Sequence, residues 1–201
     1  MEARIRRASV DEAPALAELQ RRTALFAYAS IFPPEAPQPD LDRMTLDWRR
    51  RLSGMHSPNA RGYAAGVCGL PVGVIIACSD PDDPELGHIT RLYVDPQEWG
   101  QGIGRALYDE ALSYLRDIGY AHASLWVLEQ NERARTWYER LGWACRESEN
   151  RCLGQRRSRT FVTREPSDSH PHPGCPRSPD WGYLRSASLG RLHHRAGGGV
   201  H

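Results

Sequence analysis

The run Gly87-His88-Ile89-Thr90-Arg91-Leu92-Tyr93-Val94-Asp95-Pro96 decides the fold together with its continuation, Trp99-Gly100-Gln101-Gly102-Ile103-Gly104 and then Arg105-Ala106-Leu107-Tyr108-Asp109-Glu110-Ala111-Leu112. The first part is rich in β-formers and closes on a proline, and the last carries apolar residues at helical spacing. A strand, a glycine loop and a helix N-terminus in that order make an anion site. The first backbone N–H groups of a helix have no partner inside it, and the dipole there favours negative charge. Glycines let that backbone approach a bulky diphosphate with no Cβ in the way. Spacing excludes two common diphosphate loops. In G-x-G-x-x-G the third glycine would fall on Arg105 counted from Gly100, or on Leu107 counted from Gly102. A P-loop needs a lysine, and all 26 Lys+Arg residues of this chain are arginine.

The pattern that fits is R/Q-x-x-G-x-G/A after a strand. A second run, Asn131-Glu132-Arg133-Ala134-Arg135-Thr136-Trp137-Tyr138-Glu139-Arg140-Leu141-Gly142-Trp143, reads N-x-x-A-x-x-[FW]-Y-x-x-x-G-[FW]. In this order, separated by a helix and a strand, the two runs resemble the GCN5-related N-acetyltransferases. The resemblance is motif-specific from Gly87 to Trp143 and architectural before that. It implies an α/β fold over residues 1–164, with a central, mixed, mostly antiparallel sheet splayed around an acyl-CoA site and flanked by helices. The implied reaction is acetyl transfer from acetyl-CoA to a primary amine by direct attack, without an acyl-enzyme. The acceptor stays open among small amines, amino acids, antibiotics, polyamines and protein N-termini, and a homodimer stays open too.

By the same resemblance, the pantetheine arm pairs like an extra strand with the backbone of Leu92, Tyr93 and Val94. The pyrophosphate sits on the amides of Gly100, Gln101, Gly102, Ile103, Gly104 and Arg105. Trp99 stands where the family carries Arg or Gln, a departure expected to be tolerated because amides carry the phosphates. Asn131 opens the last helix, where its side chain caps backbone amides or bonds the CoA arm. Tyr138 matches the family's tyrosine near the thioester sulfur, and a phenol with a pKa of about 10 is a proton donor for a departing thiolate. The family's glutamate base falls on His88, with Glu85 just upstream. An imidazole with a pKa of about 6.5 can take a proton from an ammonium directly or through water. His88, Glu85 and a water chain remain open as the base. The replacement of that glutamate also motivates an alternative, an inactive or weakly active acyl-CoA-binding sensor.

Elsewhere the chain is plainer. Ala3 to Arg7 reads as a short strand. Ser9 or Asp11 can cap a helix through Ala13, Leu16, Ala17 and Leu19 to Tyr28, and a proline-rich break precedes a second helix through Leu41, Met44, Leu46, Trp48 and Leu52. In the family these helices wall the acceptor pocket, which makes Phe26, Tyr28, Phe32 and Trp48 candidates for that wall. Gly62 to Cys68 and Val72 to Cys78 read as a hairpin around Gly69-Leu70-Pro71, and Ser79 to Leu86 as a solvated acidic loop. After Trp143 periodicity fades, and only Thr160-Phe161-Val162-Thr163 looks strand-like. The stretch 165–201, dominated by Pro, Ser, Gly and His, reads as a disordered tail.

The 201 residues carry a net charge of +1, so nothing global pulls the protein to nucleic acid or to acidic membranes. The arginine-rich stretch 146–164 lacks the interleaved aromatics of a nucleic-acid binder. Five cysteines with no C-x-x-C and no signal peptide read as reduced cytoplasmic thiols. His170, His172, Cys175, His193 and His194 lack ligand spacing on an ordered frame, so no metal is expected.

Overall fold

The computed structural model describes residues 3–33, 36, 38–56, 59–146 and 158–162. The tail from 165, the domain end at 164 and most of the arginine-rich stretch lie outside the described residues.

Seven strands form one sheet: β1 (Arg4–Arg7), β2 (Ala60–Val67), β3 (Leu70–Ser79), β4 (Gly87–Val94), β5 (Ala123–Leu128), β6 (Ala144–Arg146) and β7 (Ser158–Val162), in the order β1-β2-β3-β4-β5-β7-β6. Every pairing is antiparallel except that of β4 with β5. Helices α1 (Ala13–Ala27) and α2 (Leu41–Ser53) cover one face, burying Leu16, Leu19, Met44, Trp48 and Leu52 against Val74, Ile76 and Tyr93. Helix α3 (Ile103–Asp117) covers the other with Leu107, Ala111, Tyr114 and Leu115, joined there by α4 (Glu132–Arg140) through Tyr138. The expected mixed sheet with helices on both faces is what the chain forms.

Local chemistry explains the element ends. Ser9 and Glu12 make a reciprocal capping box just ahead of α1, and Pro14 sits in its first turn, where a missing N–H costs nothing. The Asp40 side chain accepts from Arg43 N at 2.8 Å to start α2. Gly119 and Gly142, both at positive φ, stop α3 and α4 as left-handed caps. The hairpin turn differs from expectation. Leu70 and Pro71 are already in β3, and the turn is the pair Cys68-Gly69, with φ of 50° and 82°. Two positive φ angles in a two-residue loop match the right-handed twist of the strands, which a turn spread over Gly69-Leu70-Pro71 would not.

Two features position the site. Gly73 lets α3 press onto β3, since a Cβ there would lie 2.8 Å from Leu107 Cδ1. The β4–β5 ladder, moreover, covers only Gly87↔Ala123, His88↔Ser124 and Ile89↔Leu125, while β4 runs on to Val94 and β5 to Leu128. The two strands part there, leaving a gap inside the sheet.

Candidate active site

The gap ends at the start of α3. Gly100 and Gly102 adopt φ of 85° and 80°, a region that costs a side-chain-bearing residue about 1–2 kcal/mol. A Cβ at either would meet nothing within 4 Å among the described residues, so the loop faces away from their packing. Helices α2 and α4 are capped by the side chains of Asp40 and Asn131, but α3 starts on Gly102 with no side-chain cap and no acidic residue in its first turn. Its leading N–H groups are therefore offered outward, which suits a diphosphate. Ile103 buries its side chain in the core and contributes only its amide, while Arg105 is exposed and paired with Asp109 at 2.9 Å.

Along the gap, backbone direction sorts the strand residues. Asp95 N donates to Val72 O of β3 at 2.8 Å, so the opposite end of that trans peptide, the Val94 carbonyl, points into the gap. By antiparallel alternation Leu92 and Val94 turn their backbone to the gap, and Tyr93 turns its own to β3. The Val94 carbonyl already accepts from Trp99 Nε1 at 2.8 Å and Thr23 Oγ1 at 3.3 Å. Trp99 thus replaces an Arg or Gln with an indole that closes one end of the ladder. The Arg133 guanidinium stacks 3.7 Å over its ring, and Phe26 meets its edge at 5.2 Å.

Tyr138 packs edge-on between Trp137 and Trp143, with ring centroids 4.9 and 5.8 Å away. Its hydroxyl makes no hydrogen bond to a described residue. Burial first, then the nearby Tyr108 and Tyr93 phenols, push its pKa up, so it remains an O–H donor through the physiological range. The Tyr28 phenol is raised likewise by burial and by Tyr93 and Tyr138, with Arg91 opposing. Tyr93 lies in the core under α1 and α2, and Tyr138 in the core under α3.

His88 is 2% exposed on the α1–α2 face of β4, with Nδ1 2.6 Å from Ser124 Oγ and 3.3 Å from Asp80 Oδ2. Ser124 in turn bonds Asp80. An ionised carboxylate only accepts, so the single Ser124 proton goes to Asp80 and Ser124 must accept from His88 Nδ1–H. With its ring neutral, His88 then carries its proton on Nδ1 and its lone pair on Nε2. Burial alone would raise the Asp80 pKa, but bonds from His88, Ser124 and the Asp82 amide outweigh it and lower the pKa from 3.8 to about 2. The ionised form of Asp80 is therefore favoured on folding. The stability it adds is fully present above its ordinary pKa and is lost as pH falls toward about 2. Asp80→Asn is expected to lower stability at neutral pH by about 1–3 kcal/mol. It should also flatten the acid side of the urea-midpoint curve across that window.

The comparisons with known proteins fall on this frame. The acetyltransferase (GNAT) family profile matches residues 22–143, more than half of the chain. This chain belongs to that family. An uncharacterised N-acetyltransferase of Methanocaldococcus jannaschii is 36% identical over 86 residues, covering 40% of this chain and 38% of that protein. The mycothiol acetyltransferase of Salinispora arenicola is 46% identical over 65 residues, covering 32% and 21%. The chain thus spans well under half the length of these curated relatives. Among solved structures, the PaiA N-acetyltransferase of Thermoplasma acidophilum in complex with coenzyme A superposes with a TM-score of 0.69 at 18% identity, over 82% of this chain and all of that one. At that identity the likeness speaks for the GNAT fold.

Within the GNAT frame, the glycine loop, Leu92, Val94 and Trp99 line or close the β4–β5 gap, while Asn131 and Tyr138 stand on α4, the helix that follows β5. Asn131 acts as a cap, accepting from Ala134 N at 3.2 Å. Glu85 stands apart on the exposed turn before β4, its backbone N–H on Asp83. Of the wall candidates, Tyr28 ends α1 and is edged by Phe32 at 6.0 Å. Trp48 is wholly buried, its indole on Gln20, and Phe26 is 62% exposed beside Trp99. Asp80 corrects the expected solvated loop, since its carboxylate turns inward to Ser124 and His88. Asp80 and Ser124 carry no sequence signal of their own, because each gains its meaning only from a partner brought near by the fold. Among the described residues, no helix is long and apolar enough to cross a membrane.

Proposed function

We propose that this chain transfers an acetyl group from acetyl-CoA to a primary amine by direct nucleophilic attack. The observation that carries this is the bare, glycine-led N-terminus of α3 opening onto the β4–β5 gap, with Tyr138 beside it. The amides from Gly100 to Arg105 would hold the pyrophosphate, and the gap-facing backbone of Leu92 and Val94 N–H would align the pantetheine arm. The Val94 carbonyl, already doubly bonded, is not available to that arm. Asn131 holds the start of α4 and so fixes where Tyr138 stands.

In the reaction the amine nitrogen forms a bond to the thioester carbonyl carbon, and the C–S bond then breaks. Tyr138 gives its phenolic proton to the leaving thiolate. The proton shed by the amine goes to His88 Nε2, directly or through water, and the Asp80–Ser124 pair holds the ring in the tautomer that can accept it. The exposed position of Glu85 favours His88 over it in this role.

The test is release of CoA thiol from acetyl-CoA across a panel of amines, against a blank without amine. Amine-dependent release is the expected result. Acetyl-CoA binding by calorimetry with no release from any amine would point to the sensor reading, and absence of binding would overturn the glycine-loop argument.

A further inference from the structure

The acceptor face of β4 carries a charge imbalance that the transfer chemistry does not use. Asp47 Oδ2 on α2 accepts from Arg51 Nε at 2.8 Å and from Arg91 Nη2 at 3.2 Å. Two guanidinium groups therefore share one carboxylate, and the side chains of Arg51, Arg91 and Asp47 are only 12%, 10% and 12% exposed. A charge removed from water to this degree is costly unless paired. Burial first, then the neighbouring Arg91 charge, lower the Arg51 pKa despite Asp47.

Further polar capacity is unused at the same place. Arg91 Nε and Thr90 Oγ1, on successive residues of β4, are buried with no hydrogen-bond partner among the described residues. Arg91 also donates to the Tyr93 hydroxyl at 3.4 Å, and its charge opposes the upward shift of the Tyr28 pKa.

We propose that Arg51 and Arg91 form an anion subsite, so that the acceptor is an amine that also carries a carboxylate. This rests on the transferase reading and narrows its substrate. One carboxylate cancels the surplus of one positive charge, whereas a dianionic phosphate overshoots it. Guanidinium groups match a carboxylate with paired N–H donors. The span also suits an amino acid. His88 and Arg91 pair with Cys78 and Ile76, two positions apart on β3, which places them on one face roughly 7 Å apart along the strand. A polycationic acceptor such as a polyamine meets repulsion here.

The experiment is calorimetry on the full chain, with and without saturating CoA, using α-, β- and γ-amino acids each as free acid and as carboxamide. Spermidine is the cationic control. At least one free acid should bind roughly tenfold or more tighter than its carboxamide, the scale of a hydrogen bond to a charged group. That preference should vanish in Arg91→Gln and in Arg51→Gln, and survive in part in Arg91→Lys. Equal binding of every acid and its amide, or a preference for spermidine, overturns the subsite. The CoA heat in the same experiment reports separately on the donor site, so failure of the transferase reading and failure of the anion subsite are told apart.

Discussion

Gly102→Val is expected to lower acetyl-CoA affinity by at least roughly 100-fold while leaving a folded protein. Two effects add. The residue sits at φ of 80°, where a β-branched side chain is a steric outlier, so the loop must shift to relieve strain of about 1–3 kcal/mol. Its Cβ would also project into the open space that the α3 N–H groups face, blocking the backbone approach that a diphosphate requires. Nothing among the described residues lies within 4 Å of that Cβ, so their core packing is untouched and the thermal midpoint should fall only modestly. Gly104→Ala is the matched control. A Cβ there meets Val94 and Trp137 at 3.6 and 3.7 Å, ordinary contact distances, so its effect on affinity should be small. Calorimetric titration of both variants checks the pair, and equal losses would detach the diphosphate from Gly102.

Tyr138→Phe is expected to reduce kcat by about 10²–10⁴ with acetyl-CoA affinity held, the range of a lost general acid. The change removes one oxygen, and the packing of the ring between Trp137 and Trp143 is kept. The lost hydroxyl has no partner among the described residues, so no polar group of theirs is orphaned. Stability should therefore hold, unlike the loss of about 3–5 kcal/mol expected when a buried aromatic is cut to alanine. Steady-state kinetics beside calorimetry separates the outcomes. Unchanged kcat would remove Tyr138 from the chemistry and leave it a packing residue.

Legibility in the sequence depends on the kind of interaction each part uses. The glycine loop and the α4 signature are local. Gly100 and Gly102 are required by their own φ angles, Gly142 by the end of its helix, and Asn131 by the helix start it caps. A spacing in sequence is enough to find such sites. The helix faces were legible for the same reason, since Met44, Trp48 and Leu52 recur at the pitch of α2. The charge networks were not. Ser124 and Asp80 are 44 residues apart, as are Arg91 and Asp47, and only the sheet order and the seat of α2 bring them together. Asp80 lies in a run of prolines and acids that signals a turn, and nothing local marks which of its carboxylates faces inward. His88 is marked in the sequence only by standing where the family carries a glutamate. The Nδ1 bond that orients its ring is made to a hydroxyl from another strand.

The parting of β4 from β5 also bears on how the molecule avoids sticking to itself. A strand with unpaired backbone groups is a template for another chain, and most proteins keep such edges at the rim and blunt them there. Here two edges face each other from within the sheet, so an intruding polypeptide would have to thread between strands already fixed by their outer neighbours. The Val94 carbonyl, which that intruder would need for its ladder, is taken by Trp99 and Thr23. Aggregation by strand addition is thus opposed where β4 and β5 part.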